Sequence, residues 1–163
     1  MRVWRICPKR YAREAFTGAG GLRHGARWHP KGTRIVYTAE SLSLAALEFF
    51  VNLEAEAVGV ALVTVSAEIP PSVRILPVGV EDIPANWRTY PAPQPVQEIG
   101  ARWIAAGESA VLSVPSVLIP SERNYLLNPA HPQFARIITQ EPEPFLFDPR
   151  MWKRAMTPKP ILR

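Results

Sequence analysis

Cysteine is almost absent: Cys7 is the only one in 163 residues. One thiol cannot build an internal disulfide framework or a multi-cysteine zinc site, and it fits a reducing compartment. Histidine is scarce too. His24, His29 and His131 form no i,i+4 pair and no HExxH or Cys/His set, so no metal site is expected. Long apolar runs are missing as well. The longest weakly polar stretch, 57–67, is shorter than the ~20 residues of a membrane helix and contains Thr64 and Ser66. The first ten residues carry positive charge but no apolar run of signal-peptide length, so the expected location is the cytoplasm. Acids are nearly missing from the first 34 positions, where Glu14 stands against nine Lys and Arg.

What remains is the composition of a folded protein, 47% hydrophobic and 20% charged, at a length suited to one domain over 1–163. The net charge of +5 is unevenly spread. Residues 35–122 hold three basic and ten acidic residues, and residues 123–163 hold seven basic and three acidic. A basic balance of this kind points first to an anionic partner, nucleic acid included. Proline is abundant at 18, yet only Pro8 and Pro30 precede position 70.

Interior prolines break helices by removing a hydrogen bond and clashing with the preceding turn, so helices are confined to two proline-poor windows. In the first, Ile35–Thr38 is β-rich and Ser41 can cap a helix over Leu42–Leu53, followed by a strand over 58–65. In the second, a helix over Val96–Ala106 stops at Gly107 and a strand follows over Ala110–Val114. Short strands are expected at Val3–Ile6, Val73–Leu76, Ile137–Thr139 and Phe145–Phe147, and Pro84–Pro95 as an extended loop. The predicted class is α+β, strand-rich with few helices.

Several residues could carry chemistry. Thr17–Trp28 has four glycines between positions 18 and 25, with Arg23 and Arg27 able to grip phosphate. It is neither a P-loop nor a dinucleotide fingerprint, and a mobile surface loop with solvated arginines is the competing reading. The helix after Ser41 is apolar on two sides, with Leu42, Ala46, Phe49, Phe50 and Leu53 on the broad face, which suggests burial between layers. Glu48 lies on its second side near Leu44. A lone carboxylate there is costly unless paired, and otherwise reaches water at the helix edge. Tyr37 in a strand is ordinarily packing, and Ser116 after a strand-ending proline is ordinarily a turn former. Asn124 opens an amide-rich stretch, Asn-Tyr-Leu-Leu-Asn-Pro-Ala-His-Pro, at 124–132.

Together these stretches resemble a known family. Arg-Val-Trp-Arg-Ile at 2–6, Gly-Ala-Arg-Trp-His-Pro-Lys-Gly at 25–32 and Val-Tyr-Thr-Ala-Glu-Ser-Leu-Ser-Leu-Ala-Ala-Leu-Glu at 36–48 are similar to the RES domain. So are Val-Pro-Ser at 114–116, the amide-rich stretch at 124–132 and Phe-Asp-Pro-Arg at 147–150. The resemblance covers essentially the whole chain. It implies a fold like that of ADP-ribosyltransferase toxins and a bacterial toxin that attacks NAD+ by hydrolysis, phosphorolysis or ADP-ribosyl transfer. It also implies an antitoxin with an Xre-like helix-turn-helix domain that covers the NAD cleft, with a homodimer or a toxin–antitoxin hetero-oligomer as possible assemblies. The family's Arg, Glu and Ser fall on Arg27, Glu48 and Ser116, and its active-site Tyr on Tyr37. Arg23 and Asn124 are secondary contacts. Ala26 and His29 depart from the family's common Gly and Asn. NAD+ would be a substrate, with no cofactor permanently bound. The alternative from another class is a basic nucleic-acid-binding or ribonuclease toxin, motivated by the charge and by Trp4, Tyr11 and Trp28 amid arginines.

Overall fold

The computed structural model describes residues 1–53 and 60–152. Its helices are α1 (Ala19–Arg23), α2 (Leu42–Val51) and α3 (Gln94–Ala106). Its strands are β1 (Arg2–Pro8), β2 (Val36–Ala39), β3 (Leu62–Glu68), β4 (Ile75–Pro77), β5 (Val111–Pro115), β6 (Arg123–Leu127), β7 (Ile138–Thr139) and β8 (Glu143–Phe145). They form one sheet in the order β4-β5-β6-β2-β1-β3-β7, with β8 also paired to β3. Every pairing is antiparallel except β4 with β5. The fold is strand-rich α+β.

Register determines which side chains share a face, because successive residues of a strand point to opposite sides. Trp4 pairs with Ala39, Ala39 with Asn124, and Asn124 with Val114, while Tyr37 pairs with Leu126 and Leu126 with Leu112. These residues therefore line one face. Against it α2 packs Leu44 and Ala45 beside Ile6 and Ala39, and α3 packs Val96 and Trp103 beside Leu112, Val114 and Leu126. The other face buries Val3, Val36, Ala67, Val111 and Leu127 with Ile137. Each such Val, Leu or Ile side chain contributes roughly 1.5–3 kcal/mol of hydrophobic stabilisation. Both faces of the central strands are thus covered, and Tyr37 and Asn124 stand among the apolar side chains of the first.

Ser41 caps α2 as its sequence suggests, accepting the Leu44 N–H at 3.1 Å. The helix stops at Val51, where the Asn52 side chain donates to the Glu48 carbonyl at 2.8 Å. Burial between layers is not found. Leu47 and Val51 are exposed, and the buried stripe is Leu44 and Ala45 rather than the face of Leu42, Phe49 and Phe50, which is only half-buried. Helix α3 ends at Gly107, whose φ of 60° is left-handed and costs glycine little.

Other boundaries move. The strand expected over 58–65 runs Leu62–Glu68, with 58 and 59 outside the described residues. The strand expected over Phe145–Phe147 runs Glu143–Phe145, and that over Val73–Leu76 runs Ile75–Pro77. The extended loop expected over Pro84–Pro95 is instead a run of turns that buries Trp87, and α3 already starts at Gln94. Proline is tolerated in a first helical turn because the N–H it lacks would have had no partner there. Strand β6 is absent from the sequence-based scheme. The amide-rich stretch gives no strand signal there, whereas tertiary pairing with β2 and β5 makes it a central strand.

Candidate active site

The glycine-rich stretch is not a continuous loop, although residues 22–25 are exposed. It folds into the short helix α1, and Gly21 is buried with the Thr33 carbonyl so close that an added Cβ would sit 2.3 Å from it. A tight turn follows, in which Ala26 and His29 bridge. Two contacts from α3 fix this turn: Gln97 donates to the Ala26 carbonyl at 3.0 Å, and Gly100 lies against the Trp28 carbonyl. Trp28 is 2% exposed and packs on Trp87 with ring centroids 6.1 Å apart. Arg27 is therefore presented from a rigid base. Its Nη1 donates to the carbonyls of Trp87 and Thr89, the latter at 3.1 Å.

Glu48 follows Leu44 by one turn, so α2 directs it down the buried stripe toward the sheet. Two neutral donors meet its Oε1 there: Ser116 Oγ at 2.8 Å and Asn124 Nδ2 at 2.7 Å. Ser116 is fully buried, and its hydroxyl also accepts the N–H groups of Leu118 and Ile119 at 3.1 and 3.2 Å. A serine has one proton and two lone pairs, and all three are now in use. The turn-forming and site-building readings of Ser116 thus hold together. Oε2 of Glu48 has no hydrogen bond among the described residues. Nor is the carboxylate in a salt bridge among them, where the ion pairs are Arg2–Glu68 and Arg150–Asp148.

Tyr37 stands on β2 with its ring on the same sheet face as Asn124. Its backbone carbonyl accepts Arg5 Nη1 at 3.0 Å. Its hydroxyl accepts the Trp28 N–H at 3.1 Å and lies 2.8 Å from His29 Nδ1. Burial pushes this phenol well above its ordinary range, against the pull of the Trp28 N–H and the Arg27 charge, with Glu48 adding to the rise. Burial likewise draws Arg27 below the ordinary arginine value, while Glu48 and Tyr37 act to raise it. Arg27, Tyr37 and Glu48 therefore feel one another's fields without a direct ion pair between Arg27 and Glu48.

The structure thus brings Arg27, Tyr37, Glu48, Ser116 and Asn124 into one region. Arg23 stands apart: it ends α1 on the surface and its side chain makes no hydrogen bond or ion pair among the described residues. Sequence reasoning missed the supports. His29 stood out only as a departure from the family pattern, and no sequence signal marks the backbone carbonyls of Trp87 and Thr89. No group of three or more His, Cys, Asp or Glu side chains among the described residues could hold a metal. No helix among them is long and apolar enough to cross a membrane.

Comparison with known proteins bears on the family of the chain. The RES domain model matches residues 2–148. A Yersinia enterocolitica protein named Toxin Res is 38% identical over 152 residues, covering 93% of this chain and 99% of its own. A Sphingobium protein named Prs ADP-ribosylating toxin is 35% identical over 158 residues, covering 93% and 97%. The toxin–antitoxin complex MbcT–MbcA of M. tuberculosis supplies a structural match with TM-score 0.72 over 88% of this chain and 83% of that one, at 13% identity, which is a likeness of fold. Coverage, identity and the order of the motifs agree: the chain belongs to the RES domain family.

Proposed function

We propose that this protein is a toxin that breaks the nicotinamide–ribose bond of NAD+, and that Glu48 is its catalytic carboxylate. The observation that carries the reading is the hydrogen-bonded set Ser116–Glu48–Asn124, which holds one oxygen of a lone carboxylate and leaves the other without a partner among the described residues. A glycosidase needs two carboxylates because the departing oxygen must be protonated. Nicotinamide leaves a cationic pyridinium as a neutral molecule, so a single carboxylate suffices. In the step, the bond from ribose C1′ to the ring nitrogen breaks and its electron pair stays on nicotinamide. A lone pair of the acceptor then forms the new bond to C1′, and the acceptor's proton passes to solvent. Positive charge builds on the ribose between these events, and Glu48 stabilises it electrostatically.

The remaining side chains have supporting roles. Arg27 offers its Nε and Nη2, which are without partners among the described residues, to the pyrophosphate. Tyr37 offers its ring to nicotinamide. Ser116, with its hydrogen-bonding capacity spent, is a positioning residue for Glu48, and Asn124 shares that task. Arg23 serves as a secondary, outer contact for phosphate. NAD+ is a substrate here and no resident cofactor is invoked. The partner is an Xre-like antitoxin that covers the NAD+ site; the structural match to a toxin in complex with its antitoxin supports an antitoxin partner.

The acceptor is water, inorganic phosphate or a protein side chain, and the name of the Sphingobium relative favours looking for a protein. Mass spectrometry of the products from NAD+ with and without phosphate, and with cell extract, separates the three. Expected is free nicotinamide together with ADP-ribose, its 1-phosphate or a modified protein. Degradation of RNA with NAD+ left intact would replace this reading with that of a ribonuclease.

A further inference from the structure

His29 is 2% exposed and lies between two partners, with Nε2 3.2 Å from the His24 carbonyl and Nδ1 2.8 Å from the Tyr37 hydroxyl. A carbonyl can only accept, so Nε2 carries the proton. In a neutral imidazole the other nitrogen is then an acceptor. The polarity of the chain follows: Trp28 N–H donates to the Tyr37 oxygen, Tyr37 O–H donates to His29 Nδ1, and His29 Nε2–H donates to the His24 carbonyl. The single proton of the Tyr37 hydroxyl is thereby committed to His29, and one oxygen lone pair to Trp28.

We propose that His29 is a positioning residue that acts through Tyr37, locking the tyrosine ring against the NAD site and keeping its hydroxyl proton from the substrate. This rests on the reading of Tyr37 as a wall of that site. Protonation of His29 would place a second donor against the hydroxyl, release the tyrosine proton and loosen the ring, so the lock holds only while His29 is neutral. The surroundings favour the neutral form. Burial pulls the imidazole below its ordinary value, although the backbone of His24 and Gly21 on α1 works in the other direction. The charged and titratable groups around the pair are Arg27 on the same turn, Tyr37 on β2 and Glu48 acting on Tyr37 from α2. Helix α3 contributes the uncharged Gln97 and Gly100 to this turn.

Two isosteric changes separate the nitrogens. Asparagine presents an acceptor oxygen near the place of Nδ1, whereas glutamine carries its polar atoms one bond further, near Nε2. Nicotinamide release from NAD+ by the full chain should stay close to wild type in His29→Asn and fall by about a hundredfold in kcat/KM in His29→Gln, as misplaced site groups do. The His29→Gln loss should vanish in a Tyr37→Phe background, because the effect passes through that hydroxyl. The wild-type pH profile should show an acid limb that His29→Asn lacks. Equal activities of the two variants, or an undiminished glutamine effect without the tyrosine hydroxyl, would overturn the proposal. Nitrogen NMR of the resting wild-type protein decides the same question without substrate: a protonated Nε2 and bare Nδ1 are expected, and the opposite tautomer refutes the lock. If NAD+ is never consumed, the functional reading fails while the tautomer still reports on the lock.

Discussion

The residue that organises this molecule is a glutamate on a half-buried helix with no cation paired to it among the described residues. Oε1 of Glu48 is held by two neutral donors from the β5–β6 side of the sheet, at 2.8 and 2.7 Å, so its charge is oriented without being neutralised by them. Ser116→Ala removes one of these donors and leaves the half-buried N–H groups of Leu118 and Ile119 without their acceptor. That change should lower stability by about 1–3 kcal/mol in urea titration, and lower the rate of NAD+ cleavage as Glu48 loses its orientation. Arg27→Ala should act differently. Losing charge-assisted hydrogen bonds to phosphate should raise KM for NAD+ by about ten- to a hundredfold with kcat largely kept, read from steady-state kinetics. A fall in kcat alone would contradict the phosphate role. At this scale the sequence was informative, because Glu48, Arg27, Tyr37 and Ser116 are legible by resemblance to the family pattern. Their partners are not: a hydrogen bond spanning 76 positions, from Asn124 to Glu48, has no local signature.

At the scale of elements, the site depends on how closely α3 approaches the turn that presents Arg27. A Cβ at position 100 would lie 2.0 Å from the Trp28 carbonyl oxygen, and that neighbour is backbone rather than a flexible side-chain tip. Gly100→Ala should therefore push α3 and the turn apart, costing about 1–3 kcal/mol in thermal or urea unfolding and raising KM through the displaced Arg27. The two helices were readable because caps and prolines are local signals: Ser41 starts α2 and Gly107 ends α3. Strand β6 and the burial of Trp87 were not. Asn124 favours turns in isolation, and only pairing with β2 and β5 makes its segment a strand. Likewise the prolines around Trp87 suggested extension, while the contact of Trp87 with Trp28, some 60 residues earlier in the chain, folds that segment back as turns. The stripe of α2 that is buried was also decided at this scale, by the sheet beneath Leu44 and Ala45 rather than by the helix's own periodicity.

For the whole molecule, the first impression of a basic protein gives way to a segregated one, positive in the first fifth and negative through the middle. The turn carrying Arg27 lies in the positive segment and Glu48 in the negative one, so the fold brings a cationic and an anionic side chain within reach of each other's fields. Stability should register the buried histidine. Because burial lowers the His29 pKa in the folded state, the unfolded chain binds the proton more readily. Stability is then complete above the ordinary value of about 6.5 and declines as pH falls below it. Melting temperatures across this range should show that decline in the wild type and a weaker one in His29→Asn. The most direct test of the account is the rate of nicotinamide release from NAD+ by the wild-type chain and by Glu48→Gln. The carboxylate's charge is lost in that variant while its shape is kept. The account predicts steady release by the wild type and a loss of about a thousandfold or more in the folded variant. Undiminished release by Glu48→Gln would contradict it.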